Sequence, residues 1–288
     1  MSSEPSSNEQ WGDTAEAWAR AAEEEETGAS GRATEWMLEG AGLVPGESVL
    51  ELACGAGRVG LNAAPLVGPQ GSVLCTDFSA EMVEAVERRV EPLGLDSVRT
   101  EVLDAQNLSL DSASFDVVLC RFGYMLMPDP LAALVESHRV LRPGGRLVLA
   151  VWGPAEENPW LTTILETVRA QLGAPPPEPG TPGPFALGDA RRLEELLEEA
   201  CVENFEVVKL DAEQPYDSPQ AWWQHMLDVG GPLAALLGAM PAADVEAAKE
   251  KALDAAESYT RDGGVVFPAK IVAARAMRPG QGGVRIGP

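Results

Sequence analysis

From Ser48 onward, short apolar runs alternate with longer segments in which apolar residues recur every three or four positions. The runs "SVLELA", "GSVLCTD", "VRTEVLDA", "FDVVLCRF" and "GRLVLAVW" read as five strands. Strands this uniformly apolar fit a parallel sheet covered on both faces. Between them, "RVGLNAAPL", "AEMVEAVERRV" and "DPLAALVESHRVL" carry helical spacing. Ser79 is placed to cap the second helix, with Glu81 at its positive end. Pro143, Gly144 and Gly145 are expected to stop the third.

The pattern changes after Trp152. "NPWLTTILETVRAQLG" is helical, whereas "APPPEPGTPGP" is a loop, because proline removes donors and fixes the backbone. Asp189 caps "ARRLEELLEEAC", whose charge pairs at helical spacing mark an outer layer. "NFEVVKLDAEQ" is a sixth strand, residues 218–260 hold two or three helices, and "GGVVFPAKIVAARAM" is a last strand. Toward the N-terminus, residues 1–10 read as loose, Trp11–Arg20 as a short helix carrying Trp11 and Trp18, and "ATEWMLEGAGL" as an amphipathic helix. The expectation is an α/β, Rossmann-like, seven-stranded, mostly parallel sheet with helices on both faces. A helical cap is inserted after strands 5 and 6. Residues 1–30 form a flexible segment and helix, and residues 31–278 the main domain, with its core at about 34–152. The cap parts span about 153–188 and 215–262, and 279–288 is a loose tail.

Composition narrows the function classes. The formal net charge of −24 over 288 residues repels phosphate backbones, so nucleic acid is not an expected partner. The four cysteines are scattered without a C-x-x-C pair, which indicates neither a zinc site nor a disulfide framework and fits free thiols in a reducing cytosol. No secretory leader and no apolar run near the ~20 residues of a membrane span are seen. The expected location is the cytoplasm, with no membrane partner, and the sequence leaves the oligomeric state open.

The first strand runs into "VLELACGAGRVG", with Gly55, Gly57 and Gly60 spaced as G-x-G-x-x-G. Such a loop serves a dinucleotide oxidoreductase or an S-adenosylmethionine-dependent methyltransferase. Asp77, ending the second strand, suits a ribose diol in both. Glu51, ahead of the glycines, would repel a pyrophosphate and attract the amino group of a methionine, directly or through water. Asp104 and Ala105, ending the third strand, offer a carboxylate for an adenine amine and a backbone N–H for a ring nitrogen. No Tyr-x-x-x-Lys pair for hydride chemistry is present.

"VLELACGAG", "CTDFS", "VLDAQNL", "FDVVLCRFGYMLMPDP" and "RVLRPGGRLVLAVW", in this order, resemble the sequential motifs of the class I (Rossmann-like) S-adenosylmethionine-dependent methyltransferases, in particular the ubiquinone/menaquinone-biosynthesis-like subgroup acting on small molecules. The resemblance covers about Val49–Trp152. It implies S-adenosyl-L-methionine as methyl donor, S-adenosyl-L-homocysteine as product and a small-molecule methyl acceptor, methylated at O, N or C. Cofactor contacts are implied for Glu51, Ala53, Cys54, Gly55, Ala56 and Gly57, for Asp77, Phe78 and Met82, for Asp104, Ala105 and Gln106, and for Cys120 and Arg121. Arg121 departs from the glutamine or small polar residue usual after the fourth strand.

The sulfonium methyl is already activated, so positioning supplies much of the rate, and a base is needed only for a protonated nucleophile. Tyr124 and His225 are the candidate catalytic groups, each with a packing reading beside it. His138 is read as structural. Trp222 and Trp223 line either the cap core or a substrate pocket. Trp11 and Trp18 close over the cofactor or simply pack. Cys54 and Cys120, ending neighbouring strands, resemble an incomplete arsenic-binding set. The alternatives to a methyltransferase are an NAD(P)-dependent oxidoreductase and a non-catalytic S-adenosylmethionine-binding protein.

Overall fold

The computed structural model describes residues 15–23, 27–178 and 180–280. The expectations for Trp11, residues 1–10 and the end of the tail fall outside these residues. The elements are α1 (Ala15–Glu23), α2 (Gly28–Ala41), β1 (Ser48–Leu52), α3 (Arg58–Val67), β2 (Ser72–Asp77), α4 (Ala80–Leu93), β3 (Val98–Val102), β4 (Phe115–Arg121), α5 (Pro130–Val140), β5 (Leu141–Trp152), α6 (Pro159–Leu172), α7 (Ala190–Glu199), β6 (Glu203–Tyr216), α8 (Pro219–Val229), α9 (Gly231–Gly238), α10 (Ala242–Ala256), β7 (Thr260–Arg261) and β8 (Gly264–Met277).

The strand order is β3-β2-β1-β4-β5-β8-β6. The first five strands are mutually parallel, and β8 runs antiparallel to both β5 and β6. The expected seven strands are all present, and the two-residue β7 adds an eighth by folding back on β8. β1, β4 and β5 are buried along most of their length, as strands with helices on both faces must be. Local signals hold at the helix starts: Ser79 Oγ accepts from Met82 N, Asp129 caps α5 ahead of Pro130, and Ser218 caps α8 ahead of Pro219.

One boundary differs from expectation. Pro143, Gly144 and Gly145 do not stop α5, which has already ended at Val140; they lie within β5. β5 opens opposite Phe115 and shifts register before pairing Val117 with Arg146. Gly144 sits at φ +82°, and its N–H donates to Arg278 O. A Cβ on Gly145 would stand 3.0 Å from Asp116 O, so this bulged strand needs glycine. Beyond β8, Arg278 donates to the carbonyls of His138, Arg139 and Leu141, satisfying the open end of α5.

α10 packs on α6 and α8, and Trp222 of α8 donates its indole N–H to Trp160 O at 2.7 Å. Trp222 and Trp223 are both buried, which is the core reading of that pair. α1 bridges the two halves: Glu16 pairs with Arg88 of α4, and Trp18 Nε1 donates to Val229 O at the end of α8. Between β6 and β8, Glu206–Arg275 and Asp211–Lys270 form cross-strand ion pairs, and Glu213 of β6 pairs with Arg261 of β7.

Candidate active site

The site is built from the turns that leave the carboxyl ends of β1 to β4. After β1 the chain turns through Ala53 (φ +49°), Gly55 (φ +52°) and Gly57 (φ +76°) before α3 begins. Ala53 carries a left-handed backbone without being glycine, at a cost of about 1–2 kcal/mol. A Cβ on Gly55 would meet nothing within 4 Å, so there is room above the loop for a ligand to approach the backbone. Gly57 instead lies against Val86, 2.9 Å from a built Cβ. Arg89 of α4 donates to Ala56 O, and Cys54 N donates to Thr76 O at 2.9 Å.

Asp77 is tied to this loop. Its Oδ2 accepts from Gly55 N at 2.9 Å and its Oδ1 from Ser79 N at 3.0 Å. Burial pushes its carboxyl above the usual range, while the N–H groups of Ser79, Gly55 and Phe78 pull it back. Each carboxylate oxygen has a further lone pair, so a diol can still donate to both. Phe78, next along, is 40% exposed, an unusual position for an aromatic ring and one suited to covering a flat base. Met82 is buried behind it. After β3, Asp104 is exposed and its Oδ1 accepts from Gln106 N and Nε2, at 2.9 and 3.1 Å, while Ala105 is buried. Gln106 Oε1 accepts from Asp129 N, tying this turn to the start of α5.

Glu51 lies beneath the loop rather than at its mouth. It is 2% exposed, and its Oε2 accepts from Gly60 N at 2.8 Å inside the first turn of α3. A Cβ on Gly60 would overlap Glu51 Oε2 and stand 2.5 Å from Cys75 Sγ, so the third glycine serves close helix–sheet packing. Burial pushes the Glu51 carboxyl up to about 7, against the pull of Gly60 N–H, Arg121 and Cys75.

At the end of β4, Cys120 is fully buried and Arg121 is half-buried. Arg121 donates to Thr34 Oγ1 at 2.8 Å and Ser30 O at 3.2 Å, pinning α2 across the sheet. Phe122 follows at φ +59° and stacks on Trp152, with centroids 3.9 Å apart and planes 12° from parallel. A Cβ on Gly123 would stand 2.6 Å from Ala53 Cβ, so the turns after β1 and β4 touch. Burial holds the Cys54 thiol well above its ordinary range and pushes Cys120 up to about 12, so neither is a thiolate ready for a soft metal.

The two candidate catalytic groups, Tyr124 and His225, lie on separate elements. Tyr124 is fully buried, and its hydroxyl shares a 2.6 Å hydrogen bond with Ser137 Oγ of α5, which in turn donates to Ala133 O. Its placement is that of a packing residue. His225 lies on α8 with its ring 5.5 Å from that of Tyr216. His138 is in the last turn of α5, where burial and Arg278 lower its proton affinity, consistent with its structural reading. Sequence reasoning missed the Phe122–Trp152 stack, the Trp160 edge packed 4.8 Å from Trp152, and Arg89. An aromatic residue wedged between an apolar strand and a glycine was the available signal for Phe122.

A glycine turn after β1 joined to an acid ending β2, with the strand order found here, is the arrangement of the class I S-adenosylmethionine-dependent methyltransferase fold. Residues 49–145 match the family described as a methyltransferase domain. Over 103 residues it is 37% identical to the demethylmenaquinone methyltransferase of Geobacillus kaustophilus, an overlap of 36% of this chain and 44% of that protein. The chain spans less than half the length of the curated relatives it matches. Among solved structures, the [4+2]-cyclase SpnF aligns with a TM-score of 0.59 at 21% identity, covering 96% of this chain and 98% of that one. The phosphoethanolamine N-methyltransferase 2 of Haemonchus contortus, solved with S-adenosyl-L-methionine, aligns with a TM-score of 0.55 at 17% identity, covering 86% and 52%. At these identities the likeness establishes the fold.

Proposed function

We propose that the protein transfers the methyl group of S-adenosyl-L-methionine to an O, N or C nucleophile of a small molecule, releasing S-adenosyl-L-homocysteine. The observation that carries this reading is the Gly55–Asp77 junction, which sets a buried carboxylate and an open backbone loop side by side, taken with Asp104 and Ala105 after β3, a pair that a dinucleotide site does not call for. In this reading the Asp77 oxygens receive the ribose hydroxyls, Phe78 covers the adenine, and Asp104 with Ala105 N–H meets the adenine edge. Ala53 to Gly57 face the methionine part, over the charge of Glu51. A sulfonium with its ammonium is cationic, and the acids below and beside the loop favour it over a diphosphate. When bound, the donor supplies an electrophilic methyl. The chain's own contribution is to orient the two reactants in line and to exclude water. The cap, about residues 153–188 and 215–262, sets acceptor specificity.

Among the described residues no helix is long and apolar enough to cross a membrane. With the acidic composition, this supports a cytoplasmic enzyme whose partners are small molecules rather than nucleic acid. Calorimetry with S-adenosyl-L-methionine against NADH and NADPH tests the cofactor. Micromolar binding of a nicotinamide with none of the methyl donor would turn the assignment to an oxidoreductase. The second reading is a protein that binds the donor without transferring methyl, since one fold hosts many functions. S-adenosyl-L-homocysteine appearing with an acceptor separates the two.

A further inference from the structure

Among the described residues, the Tyr216 hydroxyl is the buried side-chain polar group that finds no hydrogen-bond partner in the protein. A hydroxyl left so costs stability, and folds keep few of them. Tyr216 ends β6 on an arm of the sheet: β6 and β8 go on pairing past the last β5 pair, Trp152 with Ile271, as far as Tyr216 with Val265. By register, Gln214 and Tyr216 share one face of this arm with Phe267. α2 ties that face to the proposed donor site. Ala29 N donates to Gln214 Oε1 at 3.1 Å, and the carbonyl of the next residue, Ser30, accepts from Arg121 at the end of β4. The surroundings are aromatic: the rings of Trp222 and Tyr259 lie 4.8 and 4.6 Å from that of Phe267, and Phe267 lies 6.2 Å from Tyr216. The His225 ring of α8 stands 5.5 Å from Tyr216. A groove of about 480 Å³, lined by Thr27, Pro215, Tyr216, Arg261 and Val266 among others, opens at this end of β6. Burial pushes the Tyr216 hydroxyl well above its ordinary range, against the smaller pull of Gln214, so it stays a donor at every working pH.

We propose that Tyr216 is a specificity-determining residue for the methyl acceptor, and that the acceptor presents to it a carbonyl oxygen on an apolar body, remote from the atom that is methylated. This rests on the methyltransferase reading. The hydroxyl has one proton to give and needs one lone pair to receive it. A carbonyl supplies that lone pair and brings no donor of its own for the rings of Phe267 and Trp222 to leave unpaired. A carboxylate would supply it too, at the cost of setting a charge among those rings. Solvent does not reach the hydroxyl, so the acceptor enters along the groove by parting α8 from the end of β6. Entry exchanges an unpaired hydroxyl for a paired one, and a molecule of the same shape without the oxygen forgoes that gain.

The test adds two probes to the full chain loaded with S-adenosyl-L-homocysteine: acetylnaphthalene, isotope-labelled at its carbonyl carbon, and ethylnaphthalene, which lacks the oxygen. Tyr216→Phe should bind the ketone about threefold to tenfold more weakly than wild type does, and the hydrocarbon equally well. The NMR resonance of the bound carbonyl carbon should move upfield in Tyr216→Phe, as it does when the oxygen loses a hydrogen bond. With no probe added, Tyr216→Phe should unfold in urea at the wild-type midpoint or above it, since removing an unpaired hydroxyl costs the fold nothing. The inference fails if the ketone does not bind wild type, or if Tyr216→Phe weakens both probes alike or neither. It fails too if the midpoint falls or the variant does not fold, because the hydroxyl would then have a partner inside the protein, a trapped water included. Should wild type not bind S-adenosyl-L-homocysteine at all, the methyltransferase reading falls and this inference with it.

Discussion

Gly55 donates its backbone N–H to Asp77 Oδ2 at 2.9 Å, so the turn after β1 and the acid ending β2 are one unit. Asp77→Asn keeps the shape but replaces one charged oxygen by a donor, which cannot accept from both Gly55 and Ser79. The variant is expected to bind S-adenosyl-L-methionine about 1.5–3 kcal/mol more weakly, the range for a hydrogen bond to a charged group. Titration calorimetry reads it directly, and unchanged affinity would place the ribose elsewhere.

Gly60→Ala should destabilise the fold by about 1–3 kcal/mol, because the new methyl overlaps Glu51 Oε2 and crowds Cys75 Sγ in a packed interior. A urea midpoint equal to that of wild type would show that α3 shifts freely on the sheet. Gly55→Ala, with open space above it, should be limited to the milder backbone strain of a left-handed alanine.

Glu51 makes stability depend on pH. Its carboxyl is raised by burial from 4.5 to about 7 in the fold, so the folded state binds the proton more tightly than the unfolded one. The stabilisation is complete below pH 4.5 and is lost as pH rises through 7. At 1.36 kcal/mol per unit the loss is about 3 kcal/mol. Glu51→Gln still accepts from Gly60 N and should flatten the denaturation profile across this window. An unaltered profile would mean that other groups carry the dependence.

Tyr124→Phe should cost about 1 kcal/mol of stability through the lost bond to Ser137, and leave turnover within about twofold. A hundredfold fall in turnover with an intact fold would restore Tyr124 as a catalytic group.

The alternation of elements was legible from Val49 to Trp152 because strand and helix periods differ and Ser79 caps where its position indicates. Asp77 and Gly55 were legible as loop chemistry for the same reason: both end a strand. Less was readable where contacts join distant segments. Phe122 and Trp152 lie thirty positions apart, and nothing local announces their stack. The burial of Glu51 depends on which face of β1 meets α3, and an isolated acid in an apolar run does not disclose it. Tyr124 was open to either role because a hydroxyl that follows a strand can turn to the cleft or into the core. Here Ser137 decides. The Pro-Gly-Gly segment looked like a stop signal because its role comes from Arg278 and Asp116, which lie far from it in sequence.

β6 is a fourteen-residue strand on the sheet's outer border, with Glu203, Glu206, Lys209, Asp211 and Glu213 exposed along it and Pro215 near its end. A long bare border invites a neighbouring molecule to add its own strand, the first step toward fibrils. Two copies meeting along this border would set carboxylate against carboxylate, and the proline withholds one of the amide donors such a ladder needs. The same charges that pair β6 with Lys270 and Arg275 of β8 thus keep concentrated protein from zipping together.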